Sequence, residues 1–183
     1  MRVEHIPAEH IIKKYHFEKE AEDRIHRMSS ALECKVDIRM EYREGEFRYG
    51  KVLAGITMGE EADLYRESFL RQDNLTDAYL ADCILCEMMM NSYRVFQNRY
   101  HKETGRYLSS LKFVGSGEIP LTHLPEALTL LGMKEISCTK NGMLVPLKSV
   151  VFYADVSEKD RKECVSVCAM CDNEECGFKH LPI

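Results

Sequence analysis

The stretch from Leu75 to His101 restricts the fold more than any other part of this chain. Ala78, Ala81, Ile84, Leu85, Met88, Met89, Tyr93 and Phe96 recur along it at helical spacing. They are too dense for a single stripe, so the helix they form must be buried on more than one side. Asn74 is placed to cap its start, Asp77 suits the positive end of the helix dipole, and Gly105 marks the stop. Cys83-x-x-Cys86 lies inside this helix. A redox pair of this spacing normally sits at a helix N-terminus, where the dipole lowers the thiol pKa. Two turns in, both thiols are expected to be packing residues.

Upstream, Ala8, Ile11, Ile12 and Tyr15 mark a short amphipathic helix, and Ala21, Ile25, Met28 and Leu32 a second from Glu18 to Leu32. His5, His10, His16 and His26 share no helical stripe with acidic partners and are expected on the surface. The period then changes. Cys34, Val36, Ile38, Met40 and Tyr42 alternate with Lys35, Asp37, Arg39, Glu41 and Arg43, as in a half-buried antiparallel strand, with Cys34 facing the core. Glu44-Gly45-Glu46 is the expected turn, and Phe47, Tyr49 and Val52 to Met58 continue the sheet. Leu64, Tyr65, Ser68 and Phe69 form the next helical face, ending near Asp73-Asn74.

Downstream of Gly105, Tyr107 to Val114 reads as extended and leads into Gly115-Ser116-Gly117-Glu118-Ile119-Pro120-Leu121. Two glycines this close permit positive φ and a close approach of backbone to a ligand, although GSG alone is only a turn signal. Leu121, Leu124, Leu128 and Leu131 mark a short helix ending at Gly132. Strands are expected at Ile136 to Thr139, at Met143 to Val145 after an Asn141-Gly142 hairpin turn, and at Ser149 to Val156. Pro146 breaks the second of these, and Ser157 with Asp160 starts a last short helix. No nucleophile elbow, P-loop, dinucleotide fingerprint or HExxH is present. Glu118 and His123 could be cast as an acid–base pair, but capping or surface roles are expected for both.

Composition narrows the partners. A net charge of −5 without a dense basic patch speaks against nucleic acid. No apolar run reaches the roughly eighteen residues of a membrane span. Met1 to His10 carries Arg2, Glu4 and Glu9 rather than the apolar run of a secretory leader, so a reducing, cytoplasmic setting is expected. Four of the eight cysteines, Cys164, Cys168, Cys171 and Cys176, then fall among Asp172, Asn173, Glu174, Glu175 and Lys179. Structural cysteines prefer apolar neighbours, whereas thiolates gathered at C-x-x-C spacing select zinc, copper(I) or an iron–sulfur cluster. Cys164-x3-Cys168-x2-Cys171 also matches, weakly, the cluster spacing of radical S-adenosylmethionine enzymes. Free thiols and disulfides are the other options, and His180 could replace one thiolate. The organisation expected is one domain over residues 1–156 and a cysteine-rich, metal- or cluster-binding tail over 157–183.

The ordered set Gly115, Gly117, Pro120, Leu121, Leu130-Leu131 and Asn141-Gly142-Met143-Leu144-Val145-Pro146-Leu147-Lys148-Ser149-Val150 resembles the activation domain of vitamin B12-dependent methionine synthase. The likeness is to its short stand-alone clostridial form with a cysteine-rich tail, and covers roughly Leu75 onward. It implies an α+β fold, a twisted antiparallel sheet flanked by helices. It implies a domain that binds S-adenosylmethionine and docks on the cobalamin-binding domain of a corrinoid methyltransferase. There, once cob(II)alamin has been reduced, cobalt is methylated. Carried onto this chain, the cofactor-binding positions are Lys112, Gly115, Ser116, Gly117, Glu118, Tyr153 and Ala154. The family's Arg-x-x-Pro-Gly-Tyr loop is altered, with Leu111 for the arginine, Val114 for the proline and Ser116 for the tyrosine. Ala154-Asp155 stands where aromatics are usual. Loss of a charged hydrogen bond to a carboxylate costs about 1.5–3 kcal/mol. Two roles are open. One is the reactivation component the resemblance implies, to which the thiol spacing alone adds a tail that, as an iron–sulfur cluster, would supply the electron. The other is a non-catalytic adaptor with a degenerate S-adenosylmethionine site and a structural zinc or cluster.

Overall fold

The computed structural model describes residues 5–159. The four tail cysteines, His180 and Asp160 of the expected last helix lie outside the described residues. The fold is α+β. Its helices are α1 (Ala8–Tyr15), α2 (Glu22–Lys35), α3 (Glu60–Leu70), α4 (Leu75–Thr104) and α5 (Leu124–Leu131). Its strands are β1 (Arg39–Phe47), β2 (Gly50–Thr57), β3 (Tyr107–Phe113), β4 (Ser137–Cys138), β5 (Leu144–Val145) and β6 (Ser149–Ser157). Four strands form one antiparallel sheet in the order β1-β2-β6-β3, while β4 and β5 make a separate two-stranded hairpin. Among the described residues no helix is long and apolar enough to cross a membrane.

Alternation along the central strands gives the sheet two apolar faces. Val52, Ala54, Ile56, Phe152 and Ala154 face the helices, meeting Ile84, Leu85, Met88 and Phe96 of α4 and Ile25 and Leu32 of α2. Phe152 lies between the rings of Tyr93, Phe96 and Phe113 at 5.8, 5.8 and 5.6 Å, an edge-on and tilted packing favoured by ring quadrupoles. α4 also packs against α1, α2 and α3, which covers the sides the sheet does not reach. On the opposite face Leu53, Val151 and Tyr153 meet Leu124, Ala127 and Leu131 of α5 together with Met133 and Ile136. Gly55 lets α5 come this close, since a Cβ there would stand 2.6 Å from Leu131 Cδ2 and 3.3 Å from Met133 Sδ.

α4 is capped as expected. The Asn74 side chain accepts the Asp77 backbone N–H at 3.1 Å, and Gly105 closes the other end in the left-handed region. Two sequence expectations are corrected. Cys34 is exposed in the last turn of α2 and does not start a strand. Two residues on from fully buried Leu32, it is rotated by about 200° around the helix, away from the core stripe. The turn expected at Glu44-Gly45-Glu46 is instead a register irregularity inside β1, and the chain reverses at Arg48 and Tyr49. A bulge absorbs the extra residue, so Phe47 pairs with Gly50 across the turn.

Candidate functional site

β3 and β6 carry three of the seven residues expected to bind a ligand, Lys112, Tyr153 and Ala154, and the turn after β3 carries the other four. The pairing of the two strands runs Ser109↔Asp155, then shifts, then Lys112↔Tyr153 and Phe113↔Phe152. The shift falls at Ser110, whose φ of 48° is a left-handed kink. Beyond it Leu111 faces the helix-side core, 1% exposed. Lys112 shares the α5 face with its cross-strand partner Tyr153, and its Nζ lies 3.1 Å from Asp155 Oδ2. Past Phe113 the backbone closes on itself. Ser116 N–H donates to the Phe113 carbonyl (3.1 Å), Gly115 N–H to that of Ile119 (2.9 Å), and Ile119 N–H to that of Ser116 (3.3 Å). Gly115 makes this turn at φ 91°, which a side chain would strain. Gly117 and Glu118 stand exposed at its tip, and buried Ile119 anchors it in the α5-side core.

Of the seven expected positions, Lys112 and Tyr153 share a face and Gly115, Ser116, Gly117 and Glu118 form the turn at the end of β3. Ala154 is set apart. Adjacent to Tyr153 on one strand, it points to the helix-side core and is 0% exposed. The phenol of Tyr153 is committed as well. Its oxygen lies 2.9 Å from His123 Nε2, and His123 Nδ1 lies 3.0 Å from Glu126 Oε2. One neutral tautomer satisfies both contacts, with Nδ1–H donating to Glu126 and Nε2 accepting from the phenol. Tyr49 packs edge-on to His123 at 5.2 Å and tilted on Tyr153 at 5.6 Å, with the Arg48 guanidinium 5.2 Å above Tyr49. His123 was expected to be a capping or surface residue, or the partner of Glu118. It is instead part-buried beneath Tyr49, and its carboxylate partner is Glu126, three residues along the same helical turn.

A second polar group surrounds α4. Glu87 is buried, yet its carboxylate meets His10 Nε2 at 2.6 Å, Tyr15 Oη at 2.7 Å and Lys14 Nζ at 2.9 Å, all from α1. His10 stays partly exposed at the surface, as expected, but is tied to a buried carboxylate, while His5, His16 and His26 are exposed, His5 with its Nδ1 3.0 Å from Glu33 Oε1. One turn from Glu87, Cys83 is buried as a packing residue, and burial pushes its thiol up to about 11. Cys86 departs from that expectation. It is only half-buried, and its Sγ lies 3.2 Å from Lys148 Nζ. Two open clefts of about 380 and 400 Å³ flank Arg39 and Glu135 at the far edge of the sheet, and none of the seven positions lines them. Among the described residues no three His, Cys, Asp or Glu side chains are grouped to hold a metal ion.

The buried phenols set an alkaline limit. Burial first, then the Glu126 carboxylate and Tyr49, pushes Tyr153 up to about 12, and burial with the Glu44 carboxylate does the same to Tyr100. A folded-state pKa above the unfolded value of 10.0 means that the stabilisation is complete below pH 10 and is lost as pH rises towards 12. The urea midpoint is expected to hold from pH 7 to near 9 and then fall, with a shallower fall in Tyr153→Phe. An equal slope in that variant would remove Tyr153 as a cause.

Compared with protein-family models and with curated proteins, the chain matches none.

Proposed function

We propose that this protein is an activation-domain-like accessory of a corrinoid methyltransferase such as methionine synthase, acting by docking on its cobalamin-binding domain. The reading rests on the resemblance of the stretch from Leu75 onward. One observation supports it most: the Gly115–Ile119 turn closes the β3 end of an antiparallel sheet, beside Lys112 and Tyr153 and over α5. A frame of this kind presents an exposed tip, Gly117 and Glu118, to a partner while its base is fixed in the core.

The groups around the turn do not make a pocket for S-adenosylmethionine in the expected way. The position of the family arginine is Leu111, buried on the other side of the sheet. The N–H groups of Gly115 and Ser116 are spent within the turn, Tyr153 is bonded to His123, and Lys112 is paired with Asp155. These residues favour the adaptor role, in which contact with the corrinoid domain does not depend on the methyl donor. The tail cysteines would hold zinc or an iron–sulfur cluster in that role, and cobalamin would be met only on the partner.

Two titrations test this. The purified protein is expected to bind an isolated cobalamin-binding domain equally with and without S-adenosylmethionine, and to show no saturable heat with S-adenosylmethionine alone. Saturable binding that weakens about 10–150-fold in Lys112→Ala would restore the methyl-donor role. Failure to bind any corrinoid domain would end the proposal. Metal and sulfide analysis beside Cys168→Ser/Cys171→Ser then separates zinc from a cluster.

A further inference from the structure

We propose that two copies of this protein pair through the open edge of β1, antiparallel about a twofold axis at Tyr42, and join their sheets into one. The inference does not rest on the corrinoid reading. It rests on the backbone groups that β1 turns outward and on the order of charges along it.

β1 is an edge of the sheet, beside β2 alone. Met58 N–H donates to the Lys148 carbonyl at 2.9 Å, so the even-numbered residues of β2 turn their backbone groups to β6. The odd-numbered ones, Leu53, Gly55 and Thr57, turn theirs to Arg43, Glu41 and Arg39 of β1. The backbone groups of Met40, Tyr42 and Glu44 therefore face away from the sheet. Arg99 agrees with this, its Nη1 reaching the outward carbonyl of Met40 at 3.0 Å from α4. Among the described residues it is the one side chain that meets this row, and it leaves the second lone pair of that carbonyl open. Such a row is a template for a further strand. β3, the opposite edge, is interrupted by left-handed Ser110.

The charges choose the strand that fits. Glu41 and Arg43 stand exposed beside Gly55 and Leu53, on the α5 face, and neither forms a salt bridge among the described residues. With the axis at Tyr42, Glu41 of each copy lies opposite Arg43 of the other. Tyr42 then faces its own copy and exchanges both backbone hydrogen bonds with it. Moving the axis by one residue sets Glu41 against Glu41 or Arg43 against Arg43, which repel. An axis at Glu44 opposes two carboxylates, and one at Met40 centres the pair on the carbonyl that Arg99 holds. One register alone is therefore both open at its centre and complementary in charge.

Tyr42 is ready for this contact. Its ring is edge-on to Phe96 at 6.0 Å and to Tyr100 at 5.4 Å, and its hydroxyl donates to Glu103 at 2.8 Å. Pairing thus orders little that is not already fixed. The interface is isologous and closes at two copies. Because β3 is the far edge, the Gly115–Ile119 turns stand on opposite sides of the joined sheet, with both Gly117 and Glu118 tips uncovered.

The test is sedimentation of the full-length protein over a concentration series, under reducing conditions that keep the cysteines from cross-linking copies. A monomer–dimer equilibrium is expected. Glu41→Arg and Arg43→Glu, each alone, bring like charges together at both pairs and are expected to raise the dissociation constant about 10–100-fold. An equimolar mixture of the two variants restores opposite charges in the mixed pair and is expected to dimerise as the wild type does. Should a variant fail to fold, amide exchange of the wild type decides, with protection of the Tyr42 N–H expected to rise with concentration. A monomer up to the solubility limit, a dimer indifferent to both variants, a mixture that stays monomeric, or Tyr42 protection that ignores concentration overturns the proposal.

Discussion

Glu87→Ala is expected to destabilise the fold by about 3 kcal/mol, seen as a lower urea midpoint with an unchanged slope. The carboxylate is 9% exposed and meets three donors from α1. Removing it leaves Lys14 and Tyr15 directed at an apolar stretch of α4 with nothing to accept from them. Breaking a buried pair costs about 3–5 kcal/mol, and the lower end applies because His10 and Lys14 keep some contact with water. Burial alone would raise the Glu87 pKa, but Lys14, Tyr15 and His10 outweigh it and hold the carboxyl below its usual 4.5. A depressed folded-state pKa contributes stability that is present above 4.5 and lost as pH falls below it. Wild type and Glu87→Gln are therefore expected to converge in stability as pH drops below about 4. A constant difference from pH 7 to 3 would show that the charge is not what binds α1 to α4.

Gly55→Val is expected to cost about 2–3 kcal/mol, by overpacking rather than by loss of a contact. A Cβ at this position already meets Leu131 Cδ2 at 2.6 Å and Ile136 Cδ1 at 3.4 Å, and valine adds two further methyl groups. Leu131 is fully buried and has no open side to swing into. The strain is relieved by lifting α5 from the sheet, which carries His123 and Glu126 away from Tyr153. For a chain of this size the thermal midpoint falls by roughly 4–12 °C. The fluorescence and ionisation of Tyr153 should change with it, while the β1–β2 and β2–β6 pairing persists. A variant that melts with the wild type would mean that α5 is not seated as described.

Local signals in the sequence carried the elements well. The start of α4 at Leu75, its Asn74 cap and its Gly105 stop were legible because capping is decided within a few residues. The Asn141-Gly142 hairpin and the Ser149 start of β6 were legible for the same reason. Interactions across the chain were not. Nothing near His10 announces Glu87, 77 residues away, and nothing near His123 announces Tyr153. Cys34 misled because the end of an amphipathic helix ran into a true alternation from Ile38 onward, so a period of two could be drawn four residues too early. Lys112 and Leu111 could not be assigned to faces from sequence, since one left-handed residue at Ser110 decides which of them enters the core.

The strand order has a consequence for how the chain comes to be folded at all. β6 lies between β2 and β3, yet it is the last of the four to be synthesised. The buried hydroxyl pair of Thr57 and Ser149, 2.7 Å apart, joins residues separated by 92 positions. Until the ribosome has released Ser157, the β1–β2 hairpin carries an unpaired edge rich in Val52, Leu53 and Ile56, and β3 has no neighbour. Such edges attract other chains. The four-stranded sheet can therefore close only after β6 is made, since that one strand fills the gap between β2 and β3.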